Sequence, residues 1–426
     1  MKLNRMDALL LGTAIAIGFG VSTGHPAGIV TAAGVPFLCL AMSTRKAVFR
    51  CAFGYYLAAL WPVVPGIERY LGSSSGILGS VALWLCAAIL LSIPWPIGWT
   101  SRHSQFIWRA PLVLLATVLP PLGIIGVASP LTAAGYLFPG TGWSGLLAVA
   151  LLPGILLSMR SSLSRLHSVA LALGLCFSSH VWHSADAEPP PGWVAINMRL
   201  GDVSRPFRDF AAAQFIQQTA AASSARVLIF PEAVVPRWSE ATDAFWREAL
   251  NRSRELGQIL AIGAGLSRQQ PNSGEKLNEL RAYDFSGAVE LLKGGEMPAL
   301  RLSVPLPNSE PIDNGIILTG AESAMFYERV PVPIGMWRPF DHSSVPIRLA
   351  STGVITIDHQ RAAVLICYEQ LLTLPILASM LERPTVIVAI SNTFWVECTP
   401  IPRYQAAAVR GWAKLFRLPY LIAVNS

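Results

Sequence analysis

Charge is the scarce commodity in this sequence: 13% of its 426 residues are charged while 53% are hydrophobic. A soluble chain of this length rarely runs so apolar. Seven apolar stretches fill the first half, roughly 8–24, 27–43, 51–67, 76–93, 110–128, 145–158 and 168–182, and none contains Asp, Glu, Lys or Arg. Carriers and pumps place such residues at depth to partner their cargo, so this lack argues against transport. The six cysteines show neither C-x-x-C nor a zinc-type spacing, so no metal or other cofactor is expected. Cys39, Cys51, Cys86 and Cys176 fall in or beside the apolar stretches, as small hydrophobes do. A basic surplus is also missing from the polar half. After Trp182 there are 22 Lys/Arg against 23 Asp/Glu, whereas the first half holds ten against two. The net +7 therefore belongs to the apolar half, and the polar half has no electrostatic footprint for nucleic acid.

Most of the apolar stretches approach the ~20 residues that a spanning helix needs. Basic residues fall in alternate gaps between them. Lys2 and Arg5 precede the first; Arg45, Lys46 and Arg50 follow the second; Arg102 and Arg109 follow the fourth; Arg160 and Arg165 follow the sixth. Lys and Arg mark cytoplasmic loops, so the pattern predicts a cytoplasmic N-terminus and, after seven crossings, an external second half. In a bacterium the chain would sit in the inner membrane with its C-terminal domain in the periplasm. The expected organisation is a membrane domain over 1–182, a linker at 183–192 ("HSADAEPPPG") and a second domain over 193–426. "ADA" in that linker also faintly resembles a signal-peptidase site.

Past the linker, strand and helix patterns alternate. Strands are predicted at 193–199, 226–230, 259–265, 315–320, 354–358, 362–367, 385–390 and 420–424, and helices at 206–222, 240–256, 369–382 and 402–416. This is an α/β pattern with buried strands and outer helices. Three of the strands end in residues that can do chemistry. Glu232 follows "RVLIF", Cys367 and Glu369 follow "AAVLI", and Ser391, Asn392 and Trp395 follow "VIVAI". Groups at the carboxyl ends of strands are held by a buried backbone and reached through loops. A carboxylate beside a cysteine suits acyl transfer, because the base takes the thiol proton and the thiolate attacks a carbonyl.

The strings "FPEAVVP", "LICYE" and "ISNTFW" resemble the nitrilase (carbon–nitrogen hydrolase) superfamily, which works with Glu, Lys and Cys. "DNGIILTG", "VPVPIG" and the apolar first half narrow the resemblance to apolipoprotein N-acyltransferase. "ERVPVPIGMWRPF" (328–340) is similar to membrane proteins of plasmid conjugal transfer. The resemblance implies a membrane bundle followed by a nitrilase-like α-β-β-α sandwich, here shortened at its C-terminus. It implies Glu232 as general base and Cys367 as nucleophile, with Tyr368, Glu369, Asn392 and Trp395 supporting them. It further implies a membrane lipid or lipid-linked acyl substrate and, as partners, other conjugal-transfer proteins.

Departures from the family pattern fall on the charged groups. The slot where that family keeps its catalytic lysine holds Glu328, with Arg329 beside it as a substitute stabiliser, and Met336 stands where the acyltransferase has a second glutamate. Guanidinium stays protonated and is flatter and broader than ammonium. Two readings therefore stand: a Cys-dependent acyl-transfer or amide-hydrolysing enzyme, or a catalytically inactive membrane scaffold. A depressed Cys367 pKa is expected of the first and a buried, slow thiol of the second.

Overall fold

The computed structural model describes residues 4–71, 76–159, 162–183, 185–203, 208–267, 312–341 and 344–426. The first half is helical. Among the described residues, Arg5–Ser22 and Ile77–Gly98 are long and apolar enough to cross a membrane. Arg45–Leu60 and Val63–Tyr70 would add a third span if counted as one, although they meet at 51°. Pro62 explains that bend, since proline removes a helical hydrogen bond and clashes with the preceding turn. The second apolar stretch is divided into Pro26–Thr31, a 3-10 turn at Ala32–Gly34, and Val35–Leu40. The fifth is α-helical only over Phe106–Val118, stops ahead of Pro120–Pro121 and resumes as a 3-10 turn at Leu122–Ile124.

Two sheets follow. The first contains β1 (Trp193–Ala195), β2 (Val227–Ile229), β3 (Val235–Trp238), β4 (Ile259–Ser267), β5 (Ile312–Gly320) and β6 (Ala324–Tyr327). Its order is β1-β2-β4-β5-β6, with β3 also on β4. The β1/β2, β2/β4 and β3/β4 pairs are parallel, and β4/β5 and β5/β6 are antiparallel. The second sheet runs β10-β9-β8-β7, made of β7 (Val354–Ile357), β8 (Gln360–Ile366), β9 (Val386–Asn392) and β10 (Tyr420–Asn425). A bridge between Met198 and Asn425 ties the two sheets together.

Side-chain alternation along the strands sets the layers. Val227 and Ile229 of β2 pack against Val364 and Ile366 of β8 and Val388 and Ile390 of β9, forming a core between the sheets. Leu228 and Phe230 face the other way, onto Ile216 of helix Arg208–Ala222 and Trp246 of helix Glu240–Glu255. In the second sheet, Ala363 and Leu365 face Ile376 of helix Thr373–Leu381 and Val409 of helix Ile401–Phe416. Two stacked mixed sheets thus carry helices on their outer faces.

The second helix layer also packs against the N-terminal helices in one continuous core containing Tyr55, Leu114, Leu146 and Trp412. Tyr136 donates to Ala407 O (2.7 Å) and Tyr368 to Ile124 O (2.9 Å) across that boundary. The 185–192 segment is fastened as well: Asp186 pairs with Arg410 (2.8 Å) and Lys414 (3.1 Å).

Some elements differ from the sequence reading. The 369–382 helix begins instead at Thr373, after a 3-10 turn over Cys367–Leu371. There the Glu369 carboxylate accepts from Ile366 N and holds the turn, while Pro375 fits the first turn of the true helix. The 193–199 strand ends at Ala195. Two strands went unread: β3, because Pro236 obscures it, and β6, a short edge strand whose "AMFY" does not alternate. Residues 206 and 207 of the predicted 206–222 helix lie outside the described residues.

Candidate active site

The site forms where β2, β8 and β9 end. Glu232 follows β2 and is buried. Its position depends on Gly263 of β4, where a Cβ would lie 2.1 Å from Pro231 O and 2.5 Å from Glu232 Cα. Cys367 follows β8 with φ +43°, a left-handed conformation that L side chains rarely adopt. Such strain persists only where its surroundings enforce it, and it clusters at functional sites. Here Gln405 donates to Cys367 O (2.9 Å), and the Glu369 strut fixes the turn.

Glu232 is bonded at both oxygens. Asn314 Nδ2 of β5 donates to Oε1 (2.6 Å), and the Asn392 N–H donates to Oε2 (2.8 Å). Its carboxylate also meets the Cys367 thiol. The Asn314 nitrogen donates in addition to Glu328 Oε2 (3.1 Å), which brings a second carboxyl group into the site.

Burial dominates the electrostatics. It pushes the Cys367 thiol well above its ordinary range, and negative charge on Glu232 and Glu328 pushes it further; the Asn392 N–H pulls weakly the other way. Burial raises Glu232 too, against the hydrogen bonds from Cys367, Asn392 and Asn314. Glu328 is raised well above the carboxylate range, by burial first and then by Glu232 and Glu369. Burial and the two glutamates thus favour the protonated thiol, and among the described residues no cation is paired to it.

Arg329 does not supply that cation. Its guanidinium donates to Pro375 O (3.1 Å), Ser379 Oγ (3.1 Å) and Val364 O (3.2 Å), and lies 3.4 Å from Glu369 Oε1. Gly353 makes room for it: a Cβ there would be 2.1 Å from its Nη1. Glu369 in turn accepts from Arg329 N (2.9 Å), Val330 N (3.2 Å) and Ile366 N (3.0 Å). The pair braces the 329–330 loop against the nucleophile turn. Lys414 is held by Asp186.

The other named residues line the approach to the thiol. Trp395 donates to Asn392 O (2.9 Å) and meets Tyr70 edge-on at 5.4 Å. Tyr70 comes from helix Val63–Leu71, the arm beyond the Pro62 bend. Two cavities meet at Tyr70, Val332, Cys367 and Trp395. One, about 320 Å³, is apolar and lined from the N-terminal helices by residues such as Ile67, Leu83 and Leu90. The other, about 270 Å³, contains Glu232, Asn314 and Asn392. Tyr368 lines the apolar cavity too, with its hydroxyl held by Ile124 O.

Sequence reasoning brought Glu232, Cys367 and Asn392 together and did not select Asn314, Glu328, Tyr70 or Gln405. Asn314 lies inside "DNGIILTG" and Glu328 fills the lysine slot, so both had a signal; Tyr70 and Gln405 come from distant helices and had none. Among the described residues, no group of three or more His, Cys, Asp or Glu is placed to hold a metal ion.

No family model matches the chain. Solved structures that match part of the chain include amidases of the nitrilase superfamily from Nesterenkonia. One is 12% identical with TM-score 0.33, covering 55% of this chain and 74% of the amidase. Another is 12% identical with TM-score 0.31, covering 57% and 79%. A probable conjugal transfer protein TraB of Sinorhizobium fredii is 27% identical, over 98% of both chains. The conjugal transfer protein TraB of Agrobacterium fabrum is 29% identical, over 98% of this chain and 93% of its own. Across nearly its whole length, then, the chain is similar to the TraB proteins of conjugal transfer.

Proposed function

We propose that this chain is an inner-membrane protein of conjugal plasmid transfer, whose nitrilase-like domain faces the periplasm and moves an acyl group through Cys367. Similarity to the TraB proteins supports the setting. The observation that carries the chemistry is the position of Cys367, on the wall between an apolar cavity and a polar one. An acyl chain fits the apolar cavity and leaves its carbonyl at the sulfur. Glu232 takes the thiol proton as the S–C bond forms, then returns it to the departing oxygen or nitrogen as that bond breaks. The product is a thioester on Cys367, to be resolved by an amine or by water.

A high thiol pKa does not prevent this, because proton transfer to Glu232 can be concerted with attack once a carbonyl replaces water at the sulfur. It does favour the rival reading more than a pre-formed thiolate would. In that reading the protein is a catalytically inactive scaffold of the conjugation apparatus, and the raised thiol supports it. Intact-mass and peptide mass spectrometry of protein purified from membranes separates the two. Acyl transfer leaves a thioester-linked mass on Cys367 that hydroxylamine removes, and Cys367→Ala lacks it. An unmodified Cys367 that also stays unmodified in lipid vesicles sinks the enzyme reading.

A further inference from the structure

The proposed chemistry uses Glu232 and leaves a second carboxyl group, Glu328, without a role. Glu328 is 0% exposed and directly follows β6. One nitrogen, Asn314 Nδ2, donates to both glutamates and so commits both of its hydrogens. Glu232 then has a donor at each oxygen, the pattern of an ionised carboxylate. Glu328 has a donor only at Oε2, while its Oε1 is buried without a hydrogen-bond partner. A bare ionised oxygen in that position would be a costly orphan; a hydroxyl there is uncharged.

Charge balance points the same way. Among the described residues, the nearby cations are shared with other carboxylates, Arg348 with Asp313 and Arg329 with Glu369. Around Glu328 stand Glu232 across Asn314, Glu369 of the nucleophile turn, Arg348 and Cys367, with Tyr70 of the bent helix arm near enough to feel its charge. Arg348 is the one cation of that set whose charge favours an ionised Glu328, and it is already shared with Asp313, against two carboxylates 82 and 14 residues from the asparagine they share.

We infer that Glu232 and Glu328 form a carboxyl pair holding a single proton, kept on Glu328, so that Glu232 is the only base and the site takes uncharged acyl donors in preference to anionic ones. This rests on the reading of Cys367 as a nucleophile, and Glu328 acts through Asn314 and Glu232 as a positioning acid. Two like charges joined through one donor do not both ionise until the pH is high enough to strip the shared proton. Loss of that proton adds a second negative charge beside the sulfur, which penalises thiolate formation and anionic ligands together.

Infrared difference spectroscopy on full-length protein in detergent tests the pair directly. At neutral pH the wild type should show a protonated-carboxyl C=O stretch that moves in D2O, and Glu328→Gln should lose it. If that substitution removes a carboxylate band instead, Glu328 is ionised and the inference fails. Alkylation of Cys367 by iodoacetamide supplies the second readout. The ratio of the Glu328→Gln rate to the wild-type rate should grow about tenfold between about pH 6 and pH 9, as the wild type alone gains charge. Glu328→Asp should restore the wild-type profile. A ratio independent of pH overturns the pair. An infrared band without any acyl adduct would sink the enzyme reading and leave the carboxyl pair; an adduct without the band would do the reverse.

Discussion

At Cys367 a left-handed backbone, a buried sulfur and a facing carboxylate coincide, and each needs a different neighbour to hold it. The Arg329–Glu369 pair does much of that holding. It is buried at both ends, and the guanidinium reaches two carbonyls and a hydroxyl besides. Removing one partner of a buried pair typically costs about 3–5 kcal/mol, because the other charge is left uncompensated. Arg329→Ala should therefore lower the thermal unfolding midpoint of the detergent-solubilised protein sharply. Arg329→Lys should rescue it poorly, since an ammonium cannot span the same contacts. A normal unfolding midpoint with an acyl-transfer rate reduced by roughly 10²–10³ would instead make Arg329 an oxyanion stabiliser.

Glu328 gives a second prediction on the same scale. Its folded-state pKa is raised, so between the ordinary carboxylate range and that raised value the folded state binds more protons than the unfolded state. Stability then falls as pH rises through that window. Glu328→Gln removes the linkage, so its stability relative to wild type should increase with pH across the window, as read by chemical unfolding at a series of pH values. A difference that shrinks with rising pH would mean that Glu328 is stabilised as a carboxylate.

Among the elements, Asp186 ties the 185–192 segment to helix Ile401–Phe416. Burial works against the Asp186 carboxylate, but hydrogen bonds and charge from Arg410 and Lys414 hold it below its usual range. A depressed carboxylate stabilises above its unfolded pKa and loses that contribution as pH falls through the folded value. Asp186→Asn should therefore speed proteolysis within 185–192 at neutral pH, and acidifying the wild type below the carboxylate range should do the same. Equal cleavage of both proteins at neutral pH would mean the latch is ornamental. The Pro62 bend is the other decisive feature, since it carries Tyr70 onto Trp395 and into the wall of both cavities that Cys367 lines. Gly335 leaves space for that ring: a Cβ there would be 2.6 Å from it.

For the whole molecule, the basic residues in alternate gaps set the sidedness of the proposed topology. Reporter fusions at residue 105 and residue 200 should report opposite sides, the first cytoplasmic. The same side for both would remove the seven-crossing proposal. Function is read in mating: with wild-type and Cys367→Ala protein at matched membrane levels, the acyl-transfer reading expects plasmid transfer to fall with the alanine. Transfer at the wild-type rate would assign the contribution to the scaffold.

Local pattern determined much of this protein before any coordinates. Strands with buried alternation, the acid after β2 and the cysteine after β8 are written in short runs, because hydrophobic period and strand-end chemistry are local properties. Scarcity of charge likewise separated an apolar half from a polar one. Tertiary structure decided which charges reach the sulfur. Arg329 and Glu328 are neighbours in sequence, yet their side chains go to opposite duties: Arg329 is drawn to Glu369 and the carbonyls beneath β8, while Glu328 is drawn to Asn314 of β5. The chain bends at Arg329 just past β6, so only the packing around each side chain could show which one belongs to the site.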